Sequence, residues 1–165
     1  MKIQSKFLVG AVMAGGVIGG LAWATPIFDL AAPVLATGTI LANINAYGVA
    51  NPAAGPFGVE LKTIGPSQIL VQDVAYSPGG HTGWHSHPGV LTVVLISGTL
   101  DWYDGDCKKV SYKAGDAWTE GSQLHYVQST GTVNSHWMVT YVIPKGSATR
   151  IDEGAPACAA GAGLE

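Results

Sequence analysis

Hydrophobic positions along much of this chain fall in short runs bounded by turn formers, not at the 3.6 spacing of an amphipathic helix. The segments GVELKT, SQILVQDVAYS, VLTVVLIS, TLDWYD and SHWMVTYVIP make up these runs and are rich in β-branched and aromatic residues. That composition fits strands. Turn formers separate them: Gly65-Pro66, Pro78-Gly79-Gly80, Pro88-Gly89, Gly98, Asp104-Gly105, Gly115-Asp116 and Gly131. Beyond the N-terminal segment, no stretch repeats apolar residues at helical spacing over three turns. Many short strands at even spacing predict an all-β sandwich or barrel. Val34–Leu41 is a weaker run and predicts an edge strand inside an Ala/Gly/Pro-rich leader, residues 25–56; the main strands occupy 57–144, and 145–165 reads as a C-terminal tail.

The N-terminus follows a different rule. Lys2 and Lys6 precede an uncharged apolar run, Phe7 to Ala24, that ends in Ala22-Trp23-Ala24. A basic start, an apolar core and a small-residue cleavage site form a secretory signal. Residues 1–24 are therefore expected to direct export, either cleaved or retained as an N-terminal anchor. Such an anchor is the one membrane contact the sequence predicts, and the folded part is expected to be secreted or extracytoplasmic. Cys107 and Cys158 are the two cysteines. An even pair in an oxidising compartment reads as a disulfide, here tying the tail to the body of the domain.

Composition narrows the function. Eight Lys+Arg against eleven Asp+Glu give a formal charge of −3. There is no basic excess to hold a phosphate backbone, so nucleic acid is not an expected partner. With 47% hydrophobic and 12% charged residues the chain is not a disordered polyelectrolyte. No Gly-x-Ser-x-Gly, phosphate loop or Ser/His/Asp pattern is present.

The chemistry lies in the histidines. His81, His85 and His87 fall within GGHTGWHSHPG, and His125 and His136 follow. In a strand, residues two apart share a face, so His85 and His87 converge while Trp84 and Ser86 point the other way. Two convergent imidazoles make half of a metal site. His125 sits in a second β segment downstream, whereas His136 belongs to the last long strand and is expected to be structural or exposed.

This arrangement resembles the cupin family of small double-stranded β-helix barrels. Its first motif runs Gly, five residues, His-x-His, three or four residues, Glu, six residues, Gly; Gly79, His85-Ser86-His87, Leu91 and Gly98 stand at those spacings. The second motif opens at Gly115-Asp116, with His125 at its histidine and Ser129 where Asn is usual; it is one residue short, and Gly121 replaces the usual Pro. The resemblance covers about 57–144, and details such as GWHSHPG and Ala-Gly-Asp-Ala are similar to small exported bacterial members. It implies an all-β, cupin-type double-stranded β-helix (jelly-roll) barrel. It also implies a divalent metal ion, Zn, Mn, Fe or Ni, held by His85, His87 and His125. The family's usual glutamate ligand is missing: Leu91 occupies its place, with Thr92 beside it. Glu120 and His81 are the candidates for an additional ligand. Three neutral imidazoles would leave the ion its full charge and favour a small anionic ligand. Two functions follow: a metal-dependent enzyme acting on such a molecule, or a non-catalytic extracytoplasmic module that binds metal or a small ligand at a degenerate site. The expected partners are a small-molecule ligand or substrate and, in a homodimer, a second copy of the chain.

Overall fold

The computed structural model describes residues 28–49, 55 and 57–165. The expected export segment, residues 1–24, lies outside them. The 15-residue strand β5 (Ser67–His81) is the organiser of the fold. Its first ten residues pair antiparallel with β12 (Ser135–Pro144), in unbroken register from Ser67↔Pro144 to Tyr76↔Ser135. β12 pairs on its other side with β7 (Val90–Ser97), and β7 pairs with β10 (Ala117–Glu120). The far end of β5 leaves this sheet and pairs through His81 with Gln128 of β11 (His125–Ser129). β11 carries the second half of the barrel: it pairs with β8 (Thr99–Asp104), and β8 with β9 (Lys109–Lys113). It also pairs with the short β6 (His85–Ser86), which in turn takes β13 (Ile151–Asp152) from the C-terminal segment. The result is an antiparallel, nearly closed barrel.

Before β5 come β1 (Phe28–Ala31) and β2 (Val34–Ile40), both paired along it. β3 (Asn45–Val49) and β4 (Gly58–Lys62) form a separate two-stranded sheet. No helix among the described residues is long and apolar enough to cross a membrane.

Alternation explains the interior. In β7 every second residue is buried: Leu91, Val93 and Leu95. In β12 the buried set is Trp137, Val139, Tyr141 and Ile143. With Leu70, Val74, Tyr76, Leu100 and Val127 these fill one cluster between the sheets. Leu100 is fully buried, so truncation to Ala would cost about 2–5 kcal/mol. Gly98 makes the turn from β7 to β8 at φ 78°, where a Cβ would come within 2.7 Å of the Asn134 carbonyl oxygen; only glycine fits there.

A second cluster lies outside the barrel wall. Trp84 and Tyr126 pack against Ala159 and Leu164, and the Trp84 indole donates to the Leu164 carbonyl at 2.8 Å. The C-terminal residues expected to be a tail are thus docked, ending in one short helical turn, α1 (Ala159–Ala162). A disulfide between Cys107 and Cys158, with Cα atoms 6.1 Å apart, ties this segment to the β8–β9 turn.

Candidate metal centre

Each histidine reaches the barrel interior for a local reason. β6 is two residues long, and its extended backbone directs His85 and His87 to one side; Trp84 and Ser86 go to the other, where Ser86 donates to Glu153. His125 lies directly across from His85 in the β11–β6 pairing. All three are buried, His125 completely. One ring nitrogen from each lies within 4.8 Å of those of the other two.

Their hydrogen bonds fix which nitrogen faces inward. His85 Nδ1 is 3.0 Å from the Gly83 carbonyl, His87 Nδ1 is 2.7 Å from the Thr149 carbonyl, and His125 Nδ1 is 2.8 Å from the Gln123 carbonyl. A carbonyl only accepts, so each Nδ1 carries a hydrogen, and in the neutral ring each Nε2 keeps a lone pair. Burial, reinforced by His125, Arg150 and His87, holds the His85 pKa well below the usual imidazole range. A neutral ring with its outer N–H held by a carbonyl is the form in which histidine binds metals.

The carboxylate missing at position 91 arrives from the neighbouring strand. Leu91 does face inward, and in the β10–β7 pairing it lies directly opposite Glu120. The buried Glu120 carboxylate places Oε2 at 3.3 Å from both His87 Nε2 and His125 Nε2. Its other oxygen, Oε1, accepts from the Trp102 indole at 3.1 Å and the Trp118 indole at 2.8 Å. Two indoles therefore hold one oxygen and aim the other at the histidines. Burial alone would raise the Glu120 pKa, but His125, His87 and the Trp118 N–H outweigh it and hold the group well below the usual carboxylate range. Glu120, one of the two candidates for an additional ligand, thus stands beside His87 and His125.

His81 is not part of this cluster. It ends β5 and stacks on Tyr126, ring centres 5.2 Å apart. Gly83, at φ 67°, turns the chain between His81 and His85, so their even spacing does not put them on one face. His136 is half-buried on the outer side and pairs with Asp73. Ser129, where the family's Asn is usual, is buried against Ser135 at 2.8 Å.

The residues fit a metal ion. His87 Nε2 and His125 Nε2 are buried without a hydrogen-bond partner among the described residues. In the neutral rings each lone pair faces a carboxylate oxygen that also carries lone pairs, a repulsion that a proton or a metal ion between them relieves. Ligand atoms about 2.0–2.1 Å from a common tetrahedral ion lie about 3.3–3.4 Å apart, the spacing of Glu120 Oε2 from His87 Nε2 and His125 Nε2. Imidazole with carboxylate suits zinc, iron, manganese or nickel.

A cavity of about 80 Å³ opens beside His85, His87 and Glu120. Gln72, Tyr76, Tyr141, Trp118 and Arg150 contribute to its wall. Burial pushes the Tyr76 and Tyr141 phenols far above their usual range, with Arg150 acting in the opposite direction on both. Tyr141 donates its hydroxyl to Gln72 at 2.9 Å. Thr149 and Arg150 come from the C-terminal segment, which the sequence pattern marks only as a tail. The signal that would have found them is the second cysteine, which fixes where that segment must lie.

The antiparallel barrel thus carries three inward histidines that could hold a metal ion, with a buried carboxylate beside two of them. Residues 72–141 match the family model described as Cupin domain, and the barrel that this segment forms is of the cupin type. The structure is similar to an uncharacterized conserved protein with a double-stranded beta-helix domain from Klebsiella pneumoniae, with 26% identity over 52% of this chain and 74% of that one and a TM-score of 0.46. It is also similar to an oxalate decarboxylase from Lactobacillus farciminis in its formate complex, at 20% identity and a TM-score of 0.45; the match covers 51% of this chain and only 26% of that one. A third similar structure is the polyketide cyclase RemF from Streptomyces resistomycificus, at 14% identity over 56% of this chain and 68% of that one, with a TM-score of 0.45. No curated protein matches the chain.

Proposed function

We propose that this chain is an exported cupin that holds one divalent transition-metal ion through His85, His87, His125 and Glu120 and admits a small anionic molecule to the cavity beside it. The observation that carries this reading is the convergence of inward Nε2 lone pairs on a buried carboxylate oxygen, each outer N–H already held by a backbone carbonyl. Export is supported by the disulfide, a bond that persists in oxidising compartments.

When bound, such an ion acts as a Lewis acid that polarises a ligand oxygen and lowers the pKa of bound water. The protein's own residues shape what happens around it. Glu120 cancels one unit of the ion's charge, and the two indoles keep it from rotating away. Tyr76 stays protonated and can donate a hydrogen bond to a ligand oxygen. A chamber walled by phenols and an arginine favours chemistry on the ligand over mere storage of the metal. The alternative, a non-catalytic binding module, keeps the same ligands and differs only in turnover.

Titration of Zn²⁺, Mn²⁺, Fe²⁺ and Ni²⁺ into the chelator-treated protein tests the reading. One site per chain is expected, lost in His125→Ala. Binding that survives His125→Ala, or no binding at all, would overturn it.

A further inference from the structure

The C-terminal segment contributes more than a lid over the barrel wall. β13 pairs directly with the strand that bears the histidines, Asp152 opposite His85 and Ile151 opposite Ser86. Arg150 immediately precedes this pairing, next to Thr149, whose carbonyl accepts from His87. The backbone beside Arg150 is therefore held against the strand that carries His85, and its guanidinium is held by Asp152. It lines the cavity with His85, His87 and Glu120, its side chain is only 20% exposed, and its Nη2 is buried. Its charge reaches into the chamber, acting on His85, Tyr76 and Tyr141.

Asp152 is the one acidic partner of Arg150 among the described residues, engaging it through Oδ1 from a half-exposed position. A guanidinium carries five N–H donors, so donors remain for a second acceptor. With the ion bound, three neutral imidazoles and one carboxylate leave the centre a net positive charge, and Arg150 adds another nearby. A positive chamber with a planar donor fork calls for a carboxylate. The cavity limits its size. A water needs about 10–15 Å³ of such space, so about 80 Å³ takes about six water-sized groups.

We propose that Arg150 is the specificity residue of this site: it anchors the carboxylate of a small organic acid of about six non-hydrogen atoms whose other oxygen faces the metal position. The inference rests on the metal reading above and adds to it the ligand class and the residue that selects it.

Cobalt(II) and lactate, a six-heavy-atom hydroxy acid, serve as probes, with uncharged lactamide as control. Cobalt is titrated into the chelator-treated, disulfide-intact protein and followed by its visible absorption; lactate and lactamide are then titrated into the cobalt form. Lactate is expected to shift the spectrum and lactamide to bind at least about 30-fold more weakly, as expected when a charged hydrogen-bond partner is lost. Arg150→Gln should weaken lactate by a similar factor with cobalt affinity changed by less than about 3-fold, and Arg150→Lys should fall between, since an ammonium lacks the fork. Asp152→Asn separates recognition from a structural ion pair: it should leave lactate binding equal or tighter, whereas a merely structural pair would make both partners' variants alike. Unchanged lactate affinity in Arg150→Gln, or equal binding of lactate and lactamide, overturns the proposal while leaving the metal reading intact. If Arg150→Gln does not fold, unchanged lactate affinity in Arg150→Lys overturns it. Failure of the wild type to bind cobalt overturns the metal reading, and this inference with it.

Discussion

Replacing Glu120 with Gln should move stability and metal affinity in opposite directions. The amide keeps an oxygen for the Trp102 and Trp118 indoles. Its NH₂ takes the position of Oε2, 3.3 Å from His87 Nε2 and His125 Nε2. Those nitrogens present lone pairs, so two repulsive contacts become two neutral hydrogen bonds, each worth about 0.5–1.5 kcal/mol. A buried charge also disappears, and with it a desolvation cost. The metal-free variant should therefore be about 1–3 kcal/mol more stable than the wild type at pH 8, above the ordinary imidazole pKa of about 6.5. Metal binding loses an anionic ligand. A unit charge pair near a protein surface attracts by about 4 kcal/mol at 4 Å; after the desolvation saved, a net loss of about 3–4 kcal/mol is expected, about 100–1000-fold in affinity. Calorimetric melting after chelator dialysis measures the first quantity, and metal titration the second. A variant that binds metal as well as the wild type and melts lower without it would make Glu120 a structural acceptor for the indoles, and the reasoning would fail.

Other perturbations have equally definite outcomes. Leu91→Glu would set a second carboxylate directly opposite Glu120 in the interior; like charges buried there should cost about 3–5 kcal/mol without metal, read by denaturant unfolding, with part recovered on adding metal. Reducing the disulfide, or Cys158→Ser, should cost about 4 kcal/mol for the loop it closes. It should also weaken metal about 10–100-fold, because the segment that holds His87 through Thr149 is released. At alkaline pH, the Tyr126 phenol, pushed up to about 12 by burial, and Tyr76 and Tyr141, raised further, bind protons more tightly folded than unfolded. Their stabilisation is complete below about pH 10 and is lost as pH rises through 12 and beyond; phenolate absorbance should therefore appear together with loss of structure, and phenolate formation in a fully folded protein would contradict the burial of these rings.

The barrel was legible because its strands are short runs of β-branched and aromatic residues between turn formers; the alternate burial of β7 was not, since Val90, Val94 and Ile96 make its exposed face apolar too. His85 and His87 were legible because they stand two residues apart in extended chain. His125 required the family's spacing, since nothing local says that β11 lies against β6. Glu120 was visible only as a candidate. Its place depends on β10 pairing with β7 in one register, a contact between segments that local pattern does not encode. His81 was a candidate on even spacing alone, which implies a shared face only along an unbroken strand, and Gly83 turns the chain between it and His85. Arg150 and Thr149 were invisible because their segment has no periodicity of its own; its position comes from the disulfide, from β13 and from the packing of Leu164 and Ala159 against Trp84.

Anomalous diffraction at the absorption edge of whatever metal co-purifies with the protein from its own exported fraction tests the central claim most directly. The expected result is one peak per chain, about 2.0–2.2 Å from the Nε2 atoms of His85, His87 and His125 and from Glu120 Oε2. A peak elsewhere, or a crystal of active-fraction protein with Glu120 bonded to the histidines and no metal, would contradict it.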